Sequence, residues 1–330
     1  MSAKPYSRLK ALRRRALLAT AVLCGLGLAL PASAQVKSLE IMVPAAPGGG
    51  WDQTARAMQN VLQEEKLASR IQVENTPGAG GTIGLAQFVT SKKGKGNAVM
   101  TGGSVMMGAI IMNKSAVTLD NVTPLARLTG EYGVLVVTAD SPIGSVQDLV
   151  AKLKADPGSV SWGGGSAGGT DQILAGLIAK SAGVEATKVN YVPHGGGGEA
   201  LSSILGGHVT VGVSGWQEFA PQVAAGKLRA IAIAAPERVP GIDVPTLKEQ
   251  GIDVELVNWR AVFAPPGIKD KDLATLSEAI EKMVKSAGWQ NVLKERGWLD
   301  LYQPHDQFVV SLKEEGDATA AVLKELGLAK

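Results

Sequence analysis

The chain has one cysteine, Cys24, in 330 residues. It falls within a stretch that reads as a secretory leader, so the exported part is expected to have none. Disulfides, thiol nucleophiles and zinc–cysteine centres are thereby excluded from that part. Histidine is nearly as scarce, with only His194, His208 and His305. No pair of histidines or carboxylates stands at ligand spacing on one helix face, so neither a metal nor any other cofactor is expected. Positive charge is also lacking after the leader. Lys4, Arg8, Lys10, Arg13, Arg14 and Arg15 account for six of the 33 Lys and Arg, which leaves 27 against 30 Asp and Glu, a net −3 in place of the full chain's +3. Without a basic surplus, or a basic stripe interleaved with aromatics, nucleic acid is not an expected partner. The only long apolar run, Ala16 to Leu30, spans 15 residues, too short to cross a bilayer comfortably.

That run follows the basic cluster and precedes Pro31-Ala32-Ser33-Ala34, the order of a secretory signal with an Ala-x-Ala cleavage site. Cleavage after Ala34 would release a soluble periplasmic chain beginning at Gln35, long enough for two domains.

What the sequence has in abundance is glycine, 41 residues, and much of it is clustered. Gly48-Gly49-Gly50, Gly78-Ala79-Gly80-Gly81, Gly102-Gly103, Gly163 to Gly169 and Gly195 to Gly198 each follow a predicted strand and precede a predicted helix. Such a junction exposes backbone N–H groups beside the positive end of a helix dipole and can hold an anionic oxygen. Glycine also simply permits tight turns and close helix–strand packing. Short β-branched runs at Leu39–Val43, Ile71–Val73, Val134–Thr138, Val189–Val192, Val209–Val213 and Leu228–Ala234 predict buried strands. Helices are predicted between them, one after Ser145 with a capping-box spacing to Asp148 and one over Asp171–Ala182 stopped by Gly183. This alternation predicts an α/β protein with mostly parallel sheets flanked by helices. After Pro265-Pro266 the chain becomes charged and helical (271–285, 287–296, 305–326), with no strand expected beyond Phe263. The expected division is a discontinuous first domain, 35–131 with 236–330, and an inserted second domain, 132–235, hinged at 132–138 and 228–235.

Three chemistries compete for the glycine loops. Gly164-Gly165-Ser166-Ala167-Gly168 has the Gly-x-Ser-x-Gly spacing of a hydrolase elbow, with Ser166 as nucleophile and His194 as possible base. Gly78 to Gly84 follows a strand but lacks the dinucleotide spacing. Anion binding fits best: in Pro47-Gly48-Gly49-Gly50-Trp51-Asp52, three glycines open a helix, Trp51 offers a flat wall, and Asp52 caps the helix or orients a water.

The segments VPAAPGGGWDQTAR (43–56), ENTPGAGGTIG (74–84), SWGGGSAGGTDQILAGLIAK (161–180), YVPHGGGGEALSSILGGHVTVGVSGW (191–216) and NWRAVFAPPG (258–267) resemble, in that order, the Bug family of tripartite tricarboxylate transporter binding proteins. The resemblance implies a two-domain periplasmic binding protein of type 2-like fold. Such a monomer would close on a small carboxylate, most plausibly a tricarboxylate such as citrate, and pass it to inner-membrane permease subunits. It carries the ligand site to Gly48, Gly49, Gly50, Trp51 and Asp52, to Ser166, Gly168, Gly169 and Thr170, and to Gly195, Gly196 and Gly197 with His194 beside them. Gly102, Gly103 and Ser104 are expected to face the same cleft. Arg260 and Arg127 are candidates to meet a second carboxylate, against the more ordinary reading that each forms a structural ion pair or covers a domain face. A sensor that presents its ligand to a signalling partner, and an exported serine hydrolase, are the alternatives.

Overall fold

The structure is a computed structural model that describes residues 36–329. The predicted leader lies outside the described residues. Among the described residues ten strands and ten helices largely alternate. In order they are β1 (Val36–Val43), α1 (Gly50–Glu64), β2 (Ala68–Asn75), α2 (Thr82–Ser91), β3 (Ala98–Gly103), α3 (Ser104–Met112) and β4 (Thr123–Thr138). Then come α4 (Val146–Ala155), β5 (Ser161–Gly164), α5 (Thr170–Ser181), β6 (Asn190–Pro193), α6 (Gly197–Leu205), β7 (Val211–Gly215), α7 (Trp216–Ala224) and β8 (Leu228–Ile233). The chain ends with β9 (Val257–Ala264), α8 (Asp270–Lys285), α9 (Ala287–Arg296), β10 (Leu299–Pro304) and α10 (His305–Glu325). Among the described residues no helix is long and apolar enough to cross a membrane.

All five glycine clusters fall at the junction of a strand and the following helix, overlapping the end of the strand or the start of the helix in places, where the sequence predicts such junctions. The α/β class is as expected, but the sheet is mixed. β2, β1 and β3 run parallel, as do β6, β5 and β7. The long strand β4 pairs antiparallel with β7, β8, β9 and β10, and β3 pairs antiparallel with β9. The antiparallel pairs arise where a strand joins the sheet from outside the βα succession, as β4 and β9 do. Alternating strand and helix therefore predicts only the outer, parallel strands.

β4 belongs to two sheets. Its first part lies in the order β2-β1-β3-β9-β4-β10 and its second part in β8-β4-β7-β5-β6. The alternation of a strand places Leu135 and Val137 in one hydrophobic cluster with Trp162, and Val134 and Val136 in another with Phe219, so the second sheet is covered on both faces. Leu125 and Leu128 join the separate core of the first sheet, with Trp259, Phe263 and Trp289. Ile242 and Val244 join the Phe219 cluster, and Leu247, Ile252 and Val254 join the Trp162 cluster. We therefore propose that the second group of elements extends to about Leu256 instead of ending at 235.

The three C-terminal helices form where the sequence predicts them, but β10 is a strand that the sequence did not suggest. Leu299 to Pro304 is short, polar at alternate positions and never fully buried, and it adds to β4 as an antiparallel neighbour. The C-terminal helix does not stay with the first sheet alone. Phe308 near its start meets Trp259 edge-on at 5.8 Å and Phe263 at 5.6 Å, while Leu323 and Leu326 near its end pack with Ile173 of α5. Phe308 is fully enclosed, so Phe308→Ala should cost about 3–5 kcal/mol of stability. Urea unfolding of a chain beginning at Gln35 checks this; a loss well under 1 kcal/mol would mean that α10 is not docked through this ring.

Candidate functional site

The loops at the carboxyl ends of the parallel strands meet in one cavity of about 100 Å³, the position where open α/β sheets usually take ligands. Gly49, Gly50 and Trp51 enter it from the start of α1, Gly78 to Gly81 from the turn before α2, Gly165 and Ser166 from the loop after β5, and Gly195 to Gly197 from the start of α6. Asp171, Ser214, Glu218, Asn258 and Arg260 complete the polar lining. The walls touch each other beside it. A Cβ on Gly108 of α3 would collide with the Gly168 carbonyl, and one on Gly81 would lie 2.8 Å from the Trp51 ring.

Seven of the sixteen residues expected at a ligand site line this cavity: Gly49, Gly50, Trp51, Ser166, Gly195, Gly196 and Gly197. The other nine stand behind it. Asp52 is 3% exposed and serves the loop itself, since Oδ2 accepts from the Gly48 amide and from Arg56 Nε at 2.9 Å each, and Oδ1 from Asn75 at 3.0 Å. Burial pushes its carboxyl up, but Arg56, Gly48 and Asn75 together hold it below its ordinary value. Gly102 and Gly103 pair with β9, and a side chain on Gly103 would collide with the Trp259 carbonyl. Ser104 donates to that carbonyl at 3.2 Å, so these three set β9 in place without reaching the cavity. Gly168 gives its amide to Gln172 Oε1 at 2.8 Å, and with Gly169 it packs on α3. Thr170 is buried, and the His194 ring is turned to the Gly164 carbonyl, 3.0 Å from Nδ1.

The glycine amides are less available than the sequence suggests. The Gly195 amide donates to Glu199 Oε2 at 2.8 Å and the Gly165 amide to Asp171 Oδ2 at 2.8 Å, alongside the Gly48–Asp52 and Gly168–Gln172 bonds. In three of these four cases the acceptor stands four residues after the glycine, a local capping arrangement that was visible in the sequence.

Of the charged residues in the lining, Asp171 and Glu218 were missed by the sequence, and Arg260 was named only as a candidate cation. Arg260, 2% exposed, forms an ion pair through Nη2 with Glu131 of β4 and stacks on Trp298 with 4.9 Å to the ring centre. Its Nη1 is buried and has no hydrogen-bond partner. Burial, then repulsion from Arg296, lowers its pKa to about 9, so the guanidinium stays charged at neutral pH. Arg127, by contrast, is absent from the cavity lining; it pairs with Glu315 at 3.0 Å and lies over Trp259. Glu218 accepts from Ser214 Oγ at 2.8 Å, and burial pushes its carboxyl up to about 7 against the pull of Ser214 and the Gly50 amide, with repulsion from Asp171 adding to the rise. Burial likewise pushes Asp171 up to about 6.

Glycine makes room for these charges. A Cβ on Gly50 would collide with the Arg260 guanidinium, on Gly215 with the Glu131 carboxylate, and on Gly197 with the Glu218 carboxylate, while Gly196 has open space there. Gly196 is extended, with φ of 169°, so a side chain is tolerated at that position. Gly197→Ala should therefore displace Glu218 and lower the melting temperature by several degrees, and Gly196→Ala should leave it unchanged. Equal melting curves for the two variants would refute this packing.

Glu218 also predicts a pH effect on the free protein. Its folded-state pKa of about 7 exceeds the unfolded value of about 4.3, so the ionised form is penalised in the fold. The stability tied to the proton is fully present below about pH 4 and is lost as pH rises through about 7. Glu218→Gln should thus gain in melting temperature over the parent between about pH 5 and 8; a constant difference would count against a shifted Glu218.

Residues 54–328 match the family model described as "Tripartite tricarboxylate transporter family receptor". The chain is similar to the "UPF0065 protein in gbd 5'region" of Cupriavidus necator, with 30% identity over 94% of this chain and 95% of that protein. It is also similar to "Protein BugT" of Bordetella pertussis, with 26% identity over 91% and 94%. Among solved structures, the periplasmic binding protein BugD superposes with a TM-score of 0.80 at 21% identity, covering 89% of this chain and 99% of that one. MatC from Rhodopseudomonas palustris, solved with bound malate, superposes with a TM-score of 0.76 at 26% identity, covering 87% and 99%.

Proposed function

The chain belongs to the tripartite tricarboxylate transporter receptor family, whose members are periplasmic solute-binding receptors and not enzymes, and on that premise we propose that its ligand is a small organic polycarboxylate. Citrate is the first candidate and malate the second, since MatC binds malate. The observation that carries the proposal is the buried, unpaired Nη1 of Arg260 in the lining of a glycine-walled cavity. A buried guanidinium nitrogen without a partner is costly, and an incoming carboxylate oxygen satisfies it with a charge-assisted bond. Ser166 supplies a hydroxyl that makes no hydrogen bond within the described residues, and Gly49 and Gly196 line the same wall. A few such bonds, roughly 1.5–3 kcal/mol each, reach the −8 kcal/mol or so of a micromolar complex.

Capture would work by closure. β4 carries the chain from the first sheet to the second near Glu131–Gly133, and the chain returns through Leu256–Asn258, next to the pair Ala234 N to Gly133 O at 2.8 Å. These two crossings are the hinge, and the end of α10 on α5 is a third link. The closed receptor then presents the ligand to permease subunits in the inner membrane. Hydrolysis through Ser166 has no support in this geometry, because among the described residues no hydrogen bond joins the Ser166 hydroxyl to the His194 ring, whose bond runs from Nδ1 to the Gly164 carbonyl.

A thermal-shift screen of mono-, di- and tricarboxylates, followed by calorimetry, tests the ligand class. Stabilisation by several degrees with citrate or malate is expected, and Arg260→Lys, which keeps the charge but loses the planar fork, should weaken binding about tenfold or more. Ser166→Ala should weaken it less, and Thr170→Ala not at all. No response to any carboxylate would remove the proposal.

A further inference from the structure

Two acids line a cavity that is read here as a carboxylate site. Glu218 sits on the Ser214 hydroxyl at 2.8 Å and against Gly197, and Asp171 sits on the Gly165 amide at 2.8 Å. Acids gathered in this way do not by themselves make a site. The independent observation is Arg260, enclosed in the same lining with Nη1 unpaired. Its charge is already matched by Glu131, so it does not offset Asp171 and Glu218 as well. An anion drawn to Nη1 therefore meets two further carboxylates in a space sheltered from water, where like charges repel strongly.

Resting on the carboxylate reading above, we infer that this receptor captures its ligand together with one proton, which the Asp171–Glu218 pair takes from solvent and donates as an O–H hydrogen bond within the closed cavity. The pair is suited to this because burial already holds Glu218 at about 7 and Asp171 at about 6 in the free protein. An added anion raises both, and repulsion from Asp171 already adds to the rise at Glu218.

Other charged or titratable groups lie on the neighbouring elements. β4 contributes Glu131 and β9 contributes Arg260, with Arg296 of α9 on the same Trp298 ring at 5.0 Å. β6 contributes Tyr191, whose hydroxyl donates to the Gly165 carbonyl at 2.8 Å and whose pKa burial raises well above its ordinary value. The loop before α6 contributes His194, engaged at Gly164, and α6 itself contributes Glu199, engaged at Gly195. In α1, Asp52 is held by Arg56. Arg260 and Tyr191 do not titrate near pH 7, and Glu131 is held by Arg260. His194 is the group that a mutational control must separate from the acids.

The test is calorimetry of the exported chain with malate between about pH 7 and 8.5, where its carboxyls stay ionised, and with citrate between about pH 7.5 and 8.5, clear of its third carboxyl. Parallel runs in two buffers of different ionisation heat give the proton count. The expected result is uptake of about half to one proton at about pH 7, with affinity falling by up to tenfold per pH unit above that. Glu218→Gln carries its donor permanently, so it should bind about tenfold tighter than the parent at about pH 8.5 and lose most of the uptake. If that variant does not fold, Asp171→Asn replaces it, and the parent's own proton count needs no variant. Binding without uptake and with flat affinity overturns this inference and leaves the carboxylate receptor standing. Uptake undiminished in both variants assigns the proton to another group such as His194 and also overturns it. Failure of both ligands to bind at any pH removes the carboxylate reading and this inference with it.

Discussion

The enclosed pair of Arg260 and Glu131 is the constraint around which the centre of the molecule is arranged. A guanidinium and a carboxylate taken out of water must be held tightly by each other, because removing one partner typically costs about 3–5 kcal/mol. Arg260 on β9 and Glu131 on β4 come together because the two strands are antiparallel neighbours, with Thr129 opposite Arg260 and Glu131 opposite Asn258. This pairing lies where β4 leaves the first sheet for the second. The Trp298 ring closes one face of the guanidinium. On other sides α1 begins with, and α7 directly follows, a residue that has no side chain, Gly50 beside Arg260 and Gly215 beside Glu131. The helix starts are thus shaped by the charges they enclose.

This alters what the glycine clusters mean. Flexibility in the backbone explains Gly48, Gly78, Gly80, Gly81 and Gly168, whose φ angles are positive. It does not explain Gly50, Gly197 or Gly215, none of which has a positive φ. There, glycine provides volume for Arg260, Glu218 and Glu131. Where a glycine amide could have held a ligand, an internal acceptor four residues on has often taken it, as at Gly48 with Asp52 and Gly195 with Glu199. Recognition therefore falls to fewer groups than an amide count suggests, and among them the unpaired Arg260 nitrogen carries the most charge.

The legibility of the chain follows the sequence separation of the interactions. Elements specified by their own residues were readable: the five strand–glycine–helix junctions, the Ser145 cap on the Asp148 amide, the Gly183 stop, and the three C-terminal helices. β10 was not, because Leu299 to Pro304 has little apolar content of its own and is a strand only because β4 offers a free edge. The mixed sheet was not readable either, since direction depends on how β4 and β9 enter. In the site, Gly49 to Trp51, Ser166 and Gly195 to Gly197 were legible as motif residues. Asp171 and Glu218 looked like ordinary first-turn acids, and only the fold brings Glu218 to Gly50 and Gly197. Arg260 could be named as a possible cation but not separated from Arg127, which is distinguished only by Glu315 and by its absence from the cavity lining.

Family membership alone specifies a receptor; the charge arrangement narrows what it can receive. With Arg260 and Glu131 balanced, the cavity's net charge is set by Asp171 and Glu218, so it ranges from two negative charges to none as those acids take up protons. A cavity in the first state has no electrostatic reason to hold a polycarboxylate, whereas in the neutral state the same two groups become donors that add to Arg260 and Ser166. With the proposed carboxylate as ligand, these two carboxyls are compatible with it only because burial keeps them close to neutral pH, where a modest further push from the ligand is enough to change their state. Enclosure therefore does two things at once: it strengthens every hydrogen bond to the ligand, and it makes the acids that share the cavity responsive to the ligand's charge.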